Sequence, residues 1–184
     1  MRLAFVLGLV LMAGPAVADE FTDVVEEALE AYRGGDVAGA RKDLDYAVKL
    51  LADAKAQELA ALLPAAPEGW TREDGDAAAS GMGLAMFGGG TAVSATYSRG
   101  DDSVELSVIT DSPMVSAVSS MVGSMASLAG TATRRIHRTP FAVTDGEMQG
   151  VIDDRVLVSA TGSASEDDKA ALIELMDFDK LSRF

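Results

Sequence analysis

The chain reads as an α+β protein: an N-terminal helical hairpin, then a mostly antiparallel sheet packed against helices in a two-layer sandwich. Three patterns predict this. Residues 20–63 place apolar side chains at helical spacing, residues 91–160 alternate apolar with polar positions between short turn sequences, and apolar helical stripes recur between and after those strands. The organisation that follows is residues 1–18 as a leader, 19–63 as the hairpin, 64–90 as linker and glycine-rich loop, and 91–184 as the sandwich.

The leader comes first. Arg2 precedes an apolar run from Leu3 to Met12, Gly14 and Pro15 interrupt it, and Ala16-Val17-Ala18 supplies the small residues a signal peptidase requires. Cleavage after Ala18 makes Asp19 the mature N-terminus. No Cys follows the site and one Arg is not a twin-Arg signal, so a lipid anchor and that export route are both set aside. The expected location is the bacterial periplasm, with secretion as the alternative.

In the first helix Phe21, Val24, Val25, Ala28 and Tyr32 fall on one face, and Asp19, Glu20 and Asp23 sit at its positive end. Gly34 and Gly35 stop it. Asp36 is placed to cap the next helix, whose stripe is Val37, Ala40, Leu44, Ala47, Leu51 and Ala54, continuing through Leu59, Leu62 and Leu63 to Pro64. Within this pair, Ala28, Tyr32, Gly35-Asp36, Ala40, Leu44 and Ala47 resemble the small and large positions of one tetratricopeptide repeat. The resemblance covers residues 28–47 and implies a tight helix crossing. It does not imply that family's peptide groove, which needs about three stacked repeats.

Pro64, Pro67, Gly69 and Asp74-Gly75-Asp76 mark a linker, and Trp70-Thr71-Arg72 opens a first strand. Residues 81–90 form a glycine-rich loop. Val93, Ala95 and Tyr97, then Val104, Leu106 and Val108, alternate with polar residues across the turn Arg99-Gly100-Asp101. Asp111-Ser112-Pro113 starts a helix with the stripe Met114, Val118, Met121, Met125 and Leu128, closed by Gly130. Strands are expected over 134–138, 141–144, 148–152 and 155–160, turned at Asp145-Gly146 and Asp153-Asp154. A last helix starts from the capping box of Ser165 and Asp168 and runs to about Asp177. This element order, with Pro67-Glu68-Gly69-Trp70 at its entry, is similar to the Mog1/PsbP-like fold, a resemblance that transfers no site.

Charge narrows the partners. The chain has 15 basic and 29 acidic residues. Without the leader, which carries only Arg2, 14 basic residues remain, and a field of that sign repels nucleic acid and anionic lipid. Residues 77–98 and 112–133 carry no charge, but their Gly, Ser and Ala content is not that of a membrane span, so no anchor is expected after cleavage. With no Cys, no disulfide forms.

Chemistry-bearing residues are few. His137 is the only histidine, no Gly-x-Ser-x-Gly elbow is present, and one His without Cys does not make a zinc site. Arg134, Arg135, His137 and Arg138 form a basic cluster able to grip a carboxylate or phosphate, or to pair with the chain's own acidic helices, which is the reading we prefer. The acidic groups lack calcium-loop spacing. The 81–90 loop lacks the Lys-Ser/Thr of a phosphate loop, and its Met82, Met86 and Phe87 make a candidate sticky patch. Met114, Met121 and Met125 share a helical face and are the weak Cu(I) candidates, although packing asks for the same spacing. The leading expectation is a non-catalytic periplasmic accessory or interaction module without cofactor, its partner an exported or envelope protein. A carrier of an apolar molecule or Cu(I) is the alternative, and a hydrolase using His137 or Asp153 the third.

Overall fold

The computed structural model describes residues 16–76, 89–125 and 132–184, with backbone alone for 16–19 and 121–125. Two compact units divide the chain, residues 1–51 and 52–184. The division falls inside a helix, earlier than the end of the apolar stripe at Leu63 from which the hairpin boundary was drawn.

In the first unit α1 (Ala16–Arg33) and the start of α2 (Val37–Ala60) form the hairpin. Residues 1–15 of the expected leader lie outside the described residues, and Ala18 falls within α1. The stop signal at 34–36 works as its chemistry dictates. Asp36 N–H donates to Ala31 O and Gly35 N–H to Tyr32 O, with Gly35 at φ +87°, a left-handed cap that glycine adopts at no steric cost. Asp36 Oδ1 then accepts from Gly39 N–H at 2.9 Å, satisfying a free amide of α2. The stripes drawn from periodicity need correction. Ala28, Ala40 and Ala47 are buried, whereas Tyr32, Val37, Leu44 and Leu51 are exposed. Within this unit the buried positions are held by small side chains, and the bulky residues are left outside.

The second unit is a seven-stranded antiparallel sheet in the order β1-β2-β3-β7-β6-β5-β4. The strands are β1 (Thr71–Asp74), β2 (Thr91–Arg99), β3 (Asp102–Thr110), β4 (Ala132–Ile136), β5 (Thr139–Thr144), β6 (Glu147–Ile152) and β7 (Val156–Thr161). Register aligns the alternation across strands: Tyr97 pairs with Val104, Ala95 with Leu106, Leu106 with Ala160, Met148 with Ala160 and Phe141 with Gly150. One face is therefore apolar from β2 to β5. Gly150 has a reason to be glycine, since a Cβ there would lie 2.7 Å from the Phe141 ring.

That face is buried with Ala56, Leu59 and Leu63, and with Leu172, Ile173, Met176 and Leu181 from α4 (Glu166–Glu174) and α5 (Phe178–Arg183). Ser165 caps α4 by accepting from Asp168 N–H, as the capping box predicts. The helix then ends at Glu174 rather than near Asp177, and a separate α5 follows because Asp177 accepts from Lys180 N–H and starts a new turn. The opposite face holds Ser94, Thr96, Ser107 and Ser159 in register. Over β5, β6 and β7 it is covered by α3 (Pro113–Met125), where Val115, Ala142 and Leu157 are buried outside the main core. Val115 was not on the expected stripe. Leu128 and Gly130 lie outside the described residues.

Three polar anchors tie the sheet to its surroundings. Arg72 donates to the carbonyls of Ala60, Leu63 and Pro64 beyond the last turn of α2, satisfying acceptors that a helix end leaves open. Tyr97 donates its hydroxyl to Pro64 O at 2.6 Å, and burial pushes its pKa up to about 12. Lys169, 3% exposed, donates to Gly146 O and Gly162 O, so a buried ammonium is held by two carbonyls instead of a carboxylate.

Candidate functional site

A cleft of about 390 Å³ opens where the β4–β5 turn meets the junction of α4 and α5, lined by His137, Arg138, Met176, Asp177, Phe178 and Asp179. Ile136 pairs with Thr139, so His137 and Arg138 are a two-residue turn, both at positive φ (45° and 73°). The strand expected over 134–138 thus ends two residues earlier, because such a turn takes both central residues out of the extended region. His137 Nε2 lies 2.9 Å from Glu174 O at the end of α4. A carbonyl only accepts, so Nε2 carries the proton in this bond. The imidazole packs against Phe178 in a tilted pair with ring centroids 4.9 Å apart, and the Phe178 ring is 6.3 Å from that of buried Phe141. The turn is thereby braced against the core.

The cleft lining combines cationic, anionic and apolar side chains. Arg138 has no hydrogen bond or ion pair among the described residues, and the Asp179 carboxylate has none either. Asp177 is engaged. It accepts from the backbone N–H of Lys180 and pairs with that ammonium at 3.2 Å, which holds its carboxyl below the usual range. Met176 is buried and Phe178 half-buried beneath them.

Strand alternation splits the basic cluster. Arg134 reaches Asp167 in the first turn of α4 at 2.5 Å, while Arg135, on the other sheet face, is exposed. Met114 is half-buried, and the side chains of Met121 and Met125 lie outside the described residues, as do Met82, Met86 and Phe87. Among the described residues no three His, Cys, Asp or Glu side chains gather to hold a metal ion. Asp153 sits in the β6–β7 turn, beside Asp154, which accepts from Ser119 Oγ. Periodicity did not mark Phe178 or Asp179. The available signal was the pair Asp177 and Lys180, an N-cap residue three positions before a backbone donor.

Two other charged clusters are structural. Arg99 lies 4.4 Å over the Trp70 ring and pairs with Asp168 at 3.0 Å; Asp168 is held below its usual range first by the Ser165 hydroxyl and then by Arg99. Asp111 accepts from Lys55 and Arg155, with Lys55 lowering its pKa most.

In the hairpin unit a different surface stands out. Seven of the eight large apolar residues exposed among those described fall here: Leu29, Tyr32, Val37, Leu44, Tyr46, Val48 and Leu51. Val37, Leu44, Val48 and Leu51 are spaced 7, 4 and 3 apart on one side of α2, with Arg41 between the first two. Tyr46 lies off that stripe, donating to Glu20 on α1 at 2.7 Å. Compared with known protein families, curated proteins and solved structures, the chain has no significant match.

Proposed function

We propose that the chain is an exported, non-catalytic interaction module of the periplasm whose helical hairpin docks onto another envelope protein. The observation that carries the reading is the α2 stripe. Val37 and Val48 are 63% and 64% exposed, in a unit that buries alanines instead. A contiguous exposed apolar stripe on a folded protein is the usual mark of a contact surface. The leader pattern over residues 1–18 supports export, and the chain's acidity argues against nucleic acid as the partner.

Two measurements test this. The N-terminus of protein from the envelope fraction should be Asp19; intact Met1 in the cytosol would remove the compartment from the proposal. The double variant Leu44→Glu, Val48→Glu should fold with an unchanged urea midpoint and lose site-specific cross-links formed by the parent through a photoreactive residue at position 51. Retention of those cross-links would remove the hairpin as the docking element.

A further inference from the structure

We propose that the cleft beside the β4–β5 turn binds a small zwitterion of the amino-acid or short-peptide class. Arg138 takes the carboxylate, Asp179 the ammonium, and Phe178 with Met176 the apolar part.

The backbone provides the first observation. Six described non-glycine residues have positive φ: Asp111, Asp145, Asp153, Asp154, His137 and Arg138. Asp and His are the residue types, after Gly and Asn, that tolerate this region, because a short polar side chain bonds locally. Arg138 has no such compensation. Its Cβ is held at φ +73° in a turn where glycine is strongly preferred, and its guanidinium makes no bond within the described chain. A side chain kept against local preference, with nothing among the described residues to offset it, is where a ligand contact is expected.

The second observation is the charge arrangement. Among the described residues Arg138 and the Asp179 carboxylate have no partner, and they belong to two elements that meet at the cleft, while Lys180 occupies Asp177 and Glu174 O occupies His137 Nε2. A ligand carrying only negative charge would meet Arg138 but also Asp177 and Asp179, in a chain of net charge −14. A ligand carrying both signs satisfies both kinds of side chain. Arg offers a planar fork matched to a carboxylate, and the cleft volume lies within the range of small-molecule sites.

The test is calorimetric titration of the purified protein with the dipeptide alanyl-phenylalanine, beside its N-acetylated and C-amidated forms. Saturable binding of the free dipeptide is expected, weakened about tenfold or more by either block, since each removes one charge-assisted bond. Arg138→Gly is expected to raise or preserve the urea midpoint and to abolish discrimination at the carboxylate end. Asp179→Asn should abolish discrimination at the ammonium end while leaving the fold intact. No saturable binding up to about 10 mM, near the weak end of specific affinities, overturns the proposal. Equal binding of blocked and free dipeptides overturns it too. A drop in stability in Arg138→Gly would contradict the backbone argument on which the site rests.

Discussion

The hairpin and the sheet use apolar residues in opposite ways. In the sheet unit Tyr97, Leu106, Phe141, Met148 and Val158 are wholly buried, each with partners on a neighbouring strand or on α4 and α5. In the hairpin unit Ala28, Ala40 and Ala47 are inside, and Val37, Leu44, Val48 and Leu51 face outward. The contrast separates stability from interaction. Large side chains inside a sheet core supply the free energy of folding, whereas the same side chains left on a helix pair supply a surface that a partner can cover.

The sharpest way to break that contrast is a pair of truncations. Phe141→Ala should cost about 3–5 kcal/mol, because it removes a buried ring that Gly150 is shaped to receive. Leu44→Ala should change stability by no more than about 0.5 kcal/mol, because its side chain is already half in water. Urea unfolding of the two variants measures the difference; comparable losses would mean that the α2 stripe serves the fold after all. A smaller effect tests the buried alanines. Ala47→Leu adds volume at a buried position of the hairpin unit and should cost about 1–3 kcal/mol, read as a lower midpoint in far-ultraviolet thermal unfolding. An unchanged midpoint would show that the unit does not pack tightly around Ala47.

The smallest expected effect concerns acid and is argued from three carboxylates of the sheet unit. Asp111, Asp168 and Asp177 are all held below the ordinary carboxylate range, the first mainly by Lys55, the second by Ser165 and the third by the Lys180 backbone. A carboxyl with a lowered folded pKa adds stability that is present above its unfolded value of about 3.9 and is lost as pH falls through the folded value. The urea midpoint should therefore hold between about pH 5 and 7 and decline below about pH 4. Asp111→Asn should shallow that decline, since Asn keeps the φ +55° backbone accessible while removing the charge. An acid limb identical to that of the parent would place the dependence elsewhere.

Much of the architecture was written in local pattern. Asp36, Gly35, Pro113, Ser165 and the alternation of β2, β3, β6 and β7 each specify their own conformation through contacts only a few residues apart, so reading along the chain finds them. Four of the described site residues deceived the pattern. Arg134, Arg135, His137 and Arg138 are adjacent in sequence, yet strand alternation and a tight turn send them to an ion pair, the far sheet face and the cleft. Periodicity likewise says which helical residues share a face but not whether a partner waits for that face.

What the sequence by itself determined is the class and order of elements, the caps and turns that bound them, and the acidic character of the chain. Only the tertiary structure decided that the alanines rather than the leucines of the hairpin are buried, that Val115 faces the second side of the sheet, and that Arg138 and Asp179 line one cleft. Caps, turns and alternation depend on neighbours along the backbone, whereas burial and the meeting of charges depend on which distant elements the folded chain sets side by side.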